Sequence, residues 1–256
     1  MRNALAIAQK EVQTYFASPI AYAVIGFFAL LFGFMFYSIL RFFVAQSLQM
    51  GAQFGGPSQV NVNQMMIRPL VINASVVLLF FLPMITMRSF SEEKRSGTME
   101  LLLTTPLTDW QIIIGKFLGA ITLYAVMLAV TLLCLIFLFV YGNPEWKPIA
   151  SAYLGLLLMG GCFIAVGLFV SSLTKNQIVA AAITFATFLM LWVINWVSDS
   201  GGPLTRQIVD FLSITTHFED FSKGIIDTKH LVYYLSFITF GLFLTAKSLD
   251  SERWKG

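Results

Sequence analysis

Long apolar stretches separated by short polar segments make up most of this chain. Six of them are close to the roughly 20 residues that a helix needs to cross a bilayer core of about 30 Å. They cover about 20–40, 70–87, 112–141, 149–173, 178–197 and 231–246, with no charged residue or His in the middle of any stretch. The pattern predicts an all-α integral membrane protein with six transmembrane helices, in a single domain over residues 1–256.

Composition agrees with this interpretation. Hydrophobic residues make up 57% of the chain and charged residues only 11%, whereas a soluble domain carries roughly 25% charged residues. The net charge is +3 without a block of basic residues, so we expect membrane lipid as a partner and no nucleic acid.

Two sequence features predict where helices begin. Ser18 and Pro19 place a cap before a proline at the first helical position, and Thr108 with Gln111 forms a capping box at the start of the third span. Before the first span, apolar residues recur at helical spacing at Leu5, Ala8, Val12, Tyr15 and Phe16. This periodicity predicts an N-terminal amphipathic helix at the membrane interface.

Basic residues predict the orientation, because cytoplasmic loops carry more Lys and Arg. With six spans both termini lie on one side, which holds ten of the 16 basic residues: Arg2, Lys10, Arg88, Lys94, Arg95, Lys116, Lys175, Lys247, Arg253 and Lys255. The other side holds Arg41, Arg68, Lys147, Arg206, Lys223 and Lys229. We therefore expect both termini in the cytoplasm and the protein in the inner (plasma) membrane.

The segment between the second and third spans concentrates charge and leucine. Ser89 and Glu92 match a capping box for a short helix, Gly97 interrupts it, and Pro106 stops a second helical stretch. Met99, Leu102 and Leu103 would form an apolar face that is exposed unless a partner covers it. The alternative from the residues alone is a solvated connecting loop.

The same segment resembles a known family. Residues 93–106 are similar to the E-K-R-x-G-T-x-E-x-L-L-x-x-P signature of ABC-2 type permeases, and the likeness continues at 115–119 and 217–227. Within that family the chain looks closest to the gliding-motility-associated (GldF-like) branch. The resemblance implies that the chain is the transmembrane permease subunit of an ATP-driven ABC transporter that works as an exporter. It also implies that the N-terminal helix is the connecting helix of this family.

The resemblance also implies partners and site residues. Residues 92–105 would be a cytoplasmic coupling helix that docks on a separate ABC ATPase, through Glu92, Glu93, Lys94, Arg95, Gly97, Thr98, Met99, Glu100, Leu102, Leu103 and Pro106. A second permease copy, as a homodimer or a heterodimer with a sister permease, would complete the transporter. Small residues at Gly160, Gly161, Ala165 and Gly167 allow close helix contact within or between subunits.

Enzymatic chemistry is not predicted for the chain itself. It lacks a G-x-x-x-x-G-K-S/T phosphate-binding loop, so we expect a separate subunit to hydrolyse ATP, and we predict no catalytic, cofactor or metal residues. His217 beside Glu219 and Asp220 is interpreted as a solvated interfacial cluster. The segment 198–229 is half apolar and is expected to pack against the spans. A non-transporting scaffold or force-transmitting subunit remains the alternative function.

Overall fold

The computed structural model describes residues 2–54, 61–100, 107–142, 144–198, 202 and 209–253. All regular secondary structure in these residues is helical. The helices are α1 (Arg2–Ala17), α2 (Pro19–Phe54), α3 (Arg68–Thr86), α4 (Ser91–Ser96), α5 (Asp109–Tyr141), α6 (Trp146–Leu173), α7 (Gln177–Ser198), α8 (Ile214–Ser222) and α9 (Thr228–Arg253), with a π-helical turn at Asn63–Ile67. Within the described residues six helices, α2, α3, α5, α6, α7 and α9, are long and apolar enough to cross a membrane. The prediction of six spans is confirmed.

The first span is longer than predicted. We expected it to end near residue 40, but α2 continues to Phe54. At 1.5 Å per residue its 36 residues extend about 54 Å, well beyond a bilayer core. Residues 41–50 contain neither Gly nor Pro, so nothing ends the helix where the apolar stretch ends.

The helix starts follow the predicted caps. The Ser18 hydroxyl accepts a hydrogen bond from the Ile20 N–H at 3.3 Å, directly at the start of α2. At the start of α5, Thr108 and Gln111 form both hydrogen bonds of the predicted capping box. Short-range signals of this kind depend only on residues within one turn, and both are confirmed.

Helix α6 lies at the centre of the bundle. In its most apolar window 72% of the residues are buried, against 17% in α7. Its glycines admit large neighbours: a Cβ on Gly160 would lie 2.2 Å from the Tyr124 ring, and one on Gly167 would lie 2.2 Å from the Thr86 hydroxyl. The small residues of α6 therefore serve packing within the subunit.

The segment before the last span packs against the bundle, as predicted, in the part from residue 209 onward. Ile214, Phe218 and Phe221 of α8 are buried, and a Cβ on Gly155 of α6 would lie 2.6 Å from the Phe221 Cβ. Residues 199–201 and 203–208 lie outside the described residues. The expectation of a solvated cluster at His217 is wrong. His217 of α8 is only 7% exposed and its partner His230 of α9 only 4% exposed, because α8 packs against α9.

Candidate functional site

The N-terminal helix α1 lies across the first turns of α5. The contact depends on two glycines one turn apart: a Cβ on Gly115 would lie 2.7 Å from the Ile7 Cβ, and a Cβ on Gly119 would lie 2.6 Å from the Glu11 Cβ. Close approach of two helices at a Gly-x-x-x-Gly pair is a packing mode common in membrane proteins. The predicted helix is confirmed. Its place at the membrane interface stays a prediction, and Leu5, expected on its apolar face, is 61% exposed.

Between these two glycines, Lys116 points into a buried cluster of charges. Its Nζ lies 2.8 Å from Glu11 Oε1 of α1 and 2.8 Å from Glu93 Oε1 of α4, and 5.1 Å from the centre of the Phe90 ring. The Lys116 side chain is 4% exposed, and those of Glu11 and Glu93 are 19% and 25% exposed. One ammonium therefore joins α1, α4 and α5. Two hydrogen-bonded carboxylates offset its removal from water.

The turn into α4 is held by a residue of α6. The Ser171 hydroxyl accepts hydrogen bonds from the Phe90 and Ser91 N–H groups at 3.0 and 3.1 Å and donates one to the Met87 carbonyl at 3.1 Å. The predicted capping box of Ser89 with Glu92 is not formed, since Phe90 is the N-cap residue and its side chain makes no cap. A distant serine satisfies the free N–H groups of the helix start instead.

The end of α9 contacts the same region. Lys94 Nζ lies 2.7 Å from Glu252 Oε1, and its side chain is 5% exposed. Arg253 Nη2 lies 2.8 Å from Asp109 Oδ1 at the start of α5. The short segment after α3 is thus joined by polar contacts to α1, α5, α6 and α9.

The predicted coupling residues divide into two groups. Glu93, Lys94 and Met99 face the interior of the subunit, and Met99 is only 6% exposed, so its expected exposure is corrected: this subunit already covers it. The side chains of Glu92, Arg95, Thr98 and Glu100 are exposed. Gly97 ends α4 with φ of +73°, a conformation that favours glycine. Leu102, Leu103 and Pro106 lie outside the described residues.

Sequence reasoning missed the interior partners of this segment. Glu11, Lys116, Ser171 and Glu252 were not singled out, although each contributes a contact. A weak signal existed for Lys116, a cation eight residues into a long predicted membrane helix, which must find counter-ions. Glu11 gave a second signal as a carboxylate on a helix predicted to lie on the membrane surface.

Comparison with known proteins places this arrangement in a family. A family model described as "ABC-2 family transporter protein" matches residues 5–246, which take in most of α1, all of α4 and all six membrane helices up to residue 246 of α9. The chain belongs to the ABC-2 transporter family. The all-α fold with six spans is the one that the resemblance implied.

Two curated relatives are similar to about half of the chain. The chain is 31% identical over 144 residues to a probable multidrug ABC transporter permease, YbhR, of Escherichia coli strain K12, and equally so to its counterpart in Escherichia coli O157:H7. The match takes in 55% of this chain but only 38% of each relative, well under half of their length. The protein is a multi-pass membrane permease of the ABC-2 family.

Proposed function

We propose that this chain is the membrane-spanning subunit of an ATP-driven exporter and that the segment 92–105 couples it to a separate ATPase. The observation that carries the proposal is the division of α4 and the residues after it into two faces. Glu93, Lys94 and Met99 face the subunit interior, while Glu92, Arg95 and Glu100 are exposed. An exposed charged face on an element joined to four helices is suited to receive a partner and pass on its movement.

The contacts explain how such movement would spread. A displacement of α4 pulls directly on α1 and α5 through Lys116, on α6 through Ser171 and on α9 through Lys94. Breaking any of these buried polar contacts is costly, so the elements move together more easily than apart. The chain bends at Gly97, and the exposed residues Thr98 and Glu100 come directly after this bend.

The remaining predictions belong to the same proposal. Both termini lie in the cytoplasm, the protein sits in the inner membrane as a single domain, and the working unit is a homodimer or a heterodimer with a sister permease. Export is the direction of transport that we propose, and the similarity to YbhR, a probable multidrug ABC transporter permease, supports a role in transport. ATP hydrolysis is supplied by the partner subunit, and assignment to the GldF-like branch remains a prediction.

A non-transporting scaffold is the second candidate. The same exposed face would then bind an ATPase whose hydrolysis does not respond to any transported compound. Co-purified ATPase with hydrolysis stimulated by an exported compound favours the transporter, whereas a stable complex without that response favours the scaffold.

Two substitutions test the coupling role. Gly97→Val disfavours the positive φ at this position, where a β-branched residue is strongly disfavoured. Glu100→Arg reverses a charge on the exposed face. If Glu100 forms a buried pair with the ATPase, its loss costs roughly 2–5 kcal/mol, which corresponds to about a 30- to several-thousand-fold loss of affinity.

The measurement is pull-down of the ATPase with each variant, together with ATP hydrolysis and transport. Lys175→Glu is the matched control, since Lys175 is an exposed cation in the turn after α6, at the same end of the bundle. All variants should insert and dimerise, because none of the three side chains is buried. Normal ATPase binding, hydrolysis and transport in both test variants would show that this segment is a connecting loop without a coupling role.

A further inference from the structure

A polar cavity of about 530 Å³ lies between α1 and the segment that follows α3. Its size falls within the roughly 300–1,000 Å³ of ordinary small-ligand pockets. Residues of α1 and of the α1–α2 junction form one wall, residues 88–98 form the other, and Lys116 of α5 completes the lining.

The charges that line the cavity are only partly matched within the chain. Lys116 is satisfied by Glu11 and Glu93. Across the described ranges, neither Lys10 nor Arg88 has a carboxylate oxygen within 4.0 Å. Glu93 Oε2, the oxygen that does not bind Lys116, is buried and has no hydrogen-bond partner among the described residues. Among the described residues the cavity thus offers two cations without a carboxylate partner and one buried acceptor without a donor, and the exposed Glu92 carboxylate also lines it.

Tyr15 forms a buried part of the wall. Tyr15 is 4% exposed, its hydroxyl donates to the Ile85 carbonyl at 3.4 Å, and the Arg88 guanidinium lies 5.5 Å from the ring centre. Burial, with the Glu11 carboxylate nearby, raises the pKa of the Tyr15 hydroxyl, so it stays neutral at ordinary pH. The cations available to a ligand are therefore Lys10 on the α1 wall and Arg88 on the facing wall, and Glu92 adds a carboxylate to the lining.

The position of the cavity favours a lipid over a free solute. It lies where α2 starts, where α3 ends and beside the second turn of α5, all of which are ends of membrane helices. Ser18 lines it, and from there α2 presents Ile20 and Tyr22 outward, which are 49% and 60% exposed. A headgroup in the cavity could therefore remain attached to acyl chains along α2.

We propose that this cavity binds the headgroup of phosphatidylethanolamine. Arg88 and Lys10 hold the phosphate by charge-assisted hydrogen bonds, and the primary ammonium donates to Glu93 Oε2. The pattern requires a zwitterion with N–H donors. Phosphatidylcholine carries a quaternary ammonium without N–H groups and leaves Glu93 Oε2 without a donor. Phosphatidylglycerol carries no cation, so it offers that oxygen only a neutral hydroxyl, which forms a weaker hydrogen bond than an ammonium does.

The test is native mass spectrometry of the delipidated, full-length chain titrated with one lipid at a time: phosphatidylethanolamine, phosphatidylcholine or phosphatidylglycerol with identical acyl chains. We expect phosphatidylethanolamine to bind more tightly than phosphatidylcholine by roughly tenfold or more, the discrimination that one charge-assisted hydrogen bond provides. Soluble glycerophosphoethanolamine, which lacks acyl chains, should bind far more weakly than the lipid.

Two variants test the contacts to the phosphate and to the ammonium of the headgroup separately. Arg88→Gln should weaken all three lipids, because each carries the phosphate. Glu93→Gln should retain phospholipid binding and lose the preference for phosphatidylethanolamine over phosphatidylcholine. Arg95→Gln is the matched control, since Arg95 lies on the same segment, is exposed and does not line the cavity.

Three results would overturn the proposal: equal affinity for the three lipids, a preference that survives Glu93→Gln, or glycerophosphoethanolamine binding as tightly as the lipid. A side chain of the ATPase is the rival occupant. A photo-crosslinking residue in place of Thr14, an exposed lining residue, distinguishes the two in the assembled complex. Crosslinks to phospholipid support the proposal, and crosslinks to the ATPase in place of lipid contradict it.

Discussion

Two buried polar clusters lie at opposite ends of this bundle, and they are built from different chemistry. One is centred on Lys116. The other joins His217 of α8 to His230 of α9. Because Arg253 at the end of α9 pairs with Asp109 near the first cluster, and His230 lies 23 residues earlier in the same helix, the two ends are about 35 Å apart.

The second cluster is a chain of hydrogen bonds. His217 Nε2 lies 3.1 Å from the Phe211 carbonyl oxygen, His217 Nδ1 lies 2.6 Å from His230 Nδ1, and His230 Nε2 lies 2.9 Å from Asp220 Oδ2. The His217 ring also stacks on Tyr233, with ring centres 3.9 Å apart. No group of three His, Cys, Asp or Glu suited to a metal ion occurs in the described part of the chain.

The hydrogen bonds of this cluster require a definite number of protons. Three hydrogen bonds need three protons, because the Phe211 carbonyl can only accept and each contact needs one donor. Two neutral imidazoles supply two protons. The third proton lies between His230 Nε2 and Asp220 Oδ2. The cluster therefore depends on its protonation state.

The Lys116 cluster and the His217–His230 cluster differ in how strongly their charges depend on pH near neutrality. At the first end Lys116 meets two carboxylates, whose ordinary pKa values lie well below neutrality, and burial raises the pKa of Glu93 above its ordinary value. Lys116 connects elements up to 105 positions apart. At the second end histidines, which titrate near physiological pH, connect neighbouring elements 13 positions apart. The end proposed to couple to an ATPase is thus the one held by fixed charges.

The largest effect is expected from Lys116→Met. It leaves Glu11 and Glu93 facing each other without their cation, and breaking a buried pair by removing one partner costs about 3–5 kcal/mol. We expect the value near the lower limit, because the two glutamates keep some contact with water. The midpoint of thermal unfolding in detergent should fall, and ATPase co-purification should fall with it.

A matched set of variants tests whether the loss of stability comes from the charge of Lys116. Lys175→Met removes an exposed lysine at the same end of the bundle and should leave the midpoint unchanged. The triple variant Lys116→Met, Glu11→Gln, Glu93→Gln removes all the charges and should recover part of the loss, since neighbouring sites in one network are not additive. A triple variant that is less stable than Lys116→Met alone would contradict this account of the cluster.

An intermediate effect is expected from Gly115→Val. Its Cβ would meet the Ile7 Cβ at 2.7 Å and the Ala4 carbonyl oxygen at 2.9 Å. Backbone cannot yield as a flexible side chain does, so α1 must shift, at a cost of about 1–3 kcal/mol. Increased cleavage by protease or faster amide exchange within α1 is the readout.

The control for that shift is Gly33→Val in α2, where a Cβ would meet nothing within 4 Å. It should leave exchange in α1 unchanged. Equal exchange in α1 for both variants would show that α1 does not depend on the close contact with α5.

The sequence predicts what depends on local pattern and misses what depends on the meeting of distant elements. Six spans, the Thr108 capping box and the break at Gly97 follow from residues within a turn or from apolar length. The pairing of Lys116 with Glu11 could not be read, because it requires knowing that α1 crosses α5 at Gly115. The burial of His217 was missed for the same reason: its neighbours Glu219 and Asp220 indicate solvent, and only the packing of α8 on α9 removes the ring from it.

The smallest expected effect is a loosening of α8 at mildly acidic pH. Burial, which outweighs the hydrogen bond to Phe211 and adds to repulsion from His230, lowers the pKa of His217. Burial alone would raise the pKa of Asp220, but hydrogen bonds from His230 and Lys223 outweigh it and hold that pKa below its ordinary value.

Both shifts act in the same direction. A histidine with a lowered pKa takes up its proton less readily in the packed state than in the opened state, so packing weakens as the pH falls below the ordinary histidine value of about 6.5. The contribution of Asp220 is present at neutral pH and is lost only at lower pH, when the carboxylate is protonated. Glu219, Lys223 and Lys229 are the other charged residues around the site.

Amide exchange of the 214–222 peptide, corrected for intrinsic rates, should therefore rise severalfold from pH 7.5 to 5.5, while peptides of α6 should not change. His217→Phe keeps an aromatic ring to stack on Tyr233 but cannot take up a proton, so its exchange should depend less on pH even if it is faster throughout. Amide exchange of α4, at the Lys116 end of the bundle, should by contrast stay constant between pH 7.5 and 5.5. A pH response in α4 as large as that in α8, or an unaltered response in His217→Phe, would remove the distinction between the fixed and the titratable end of the bundle.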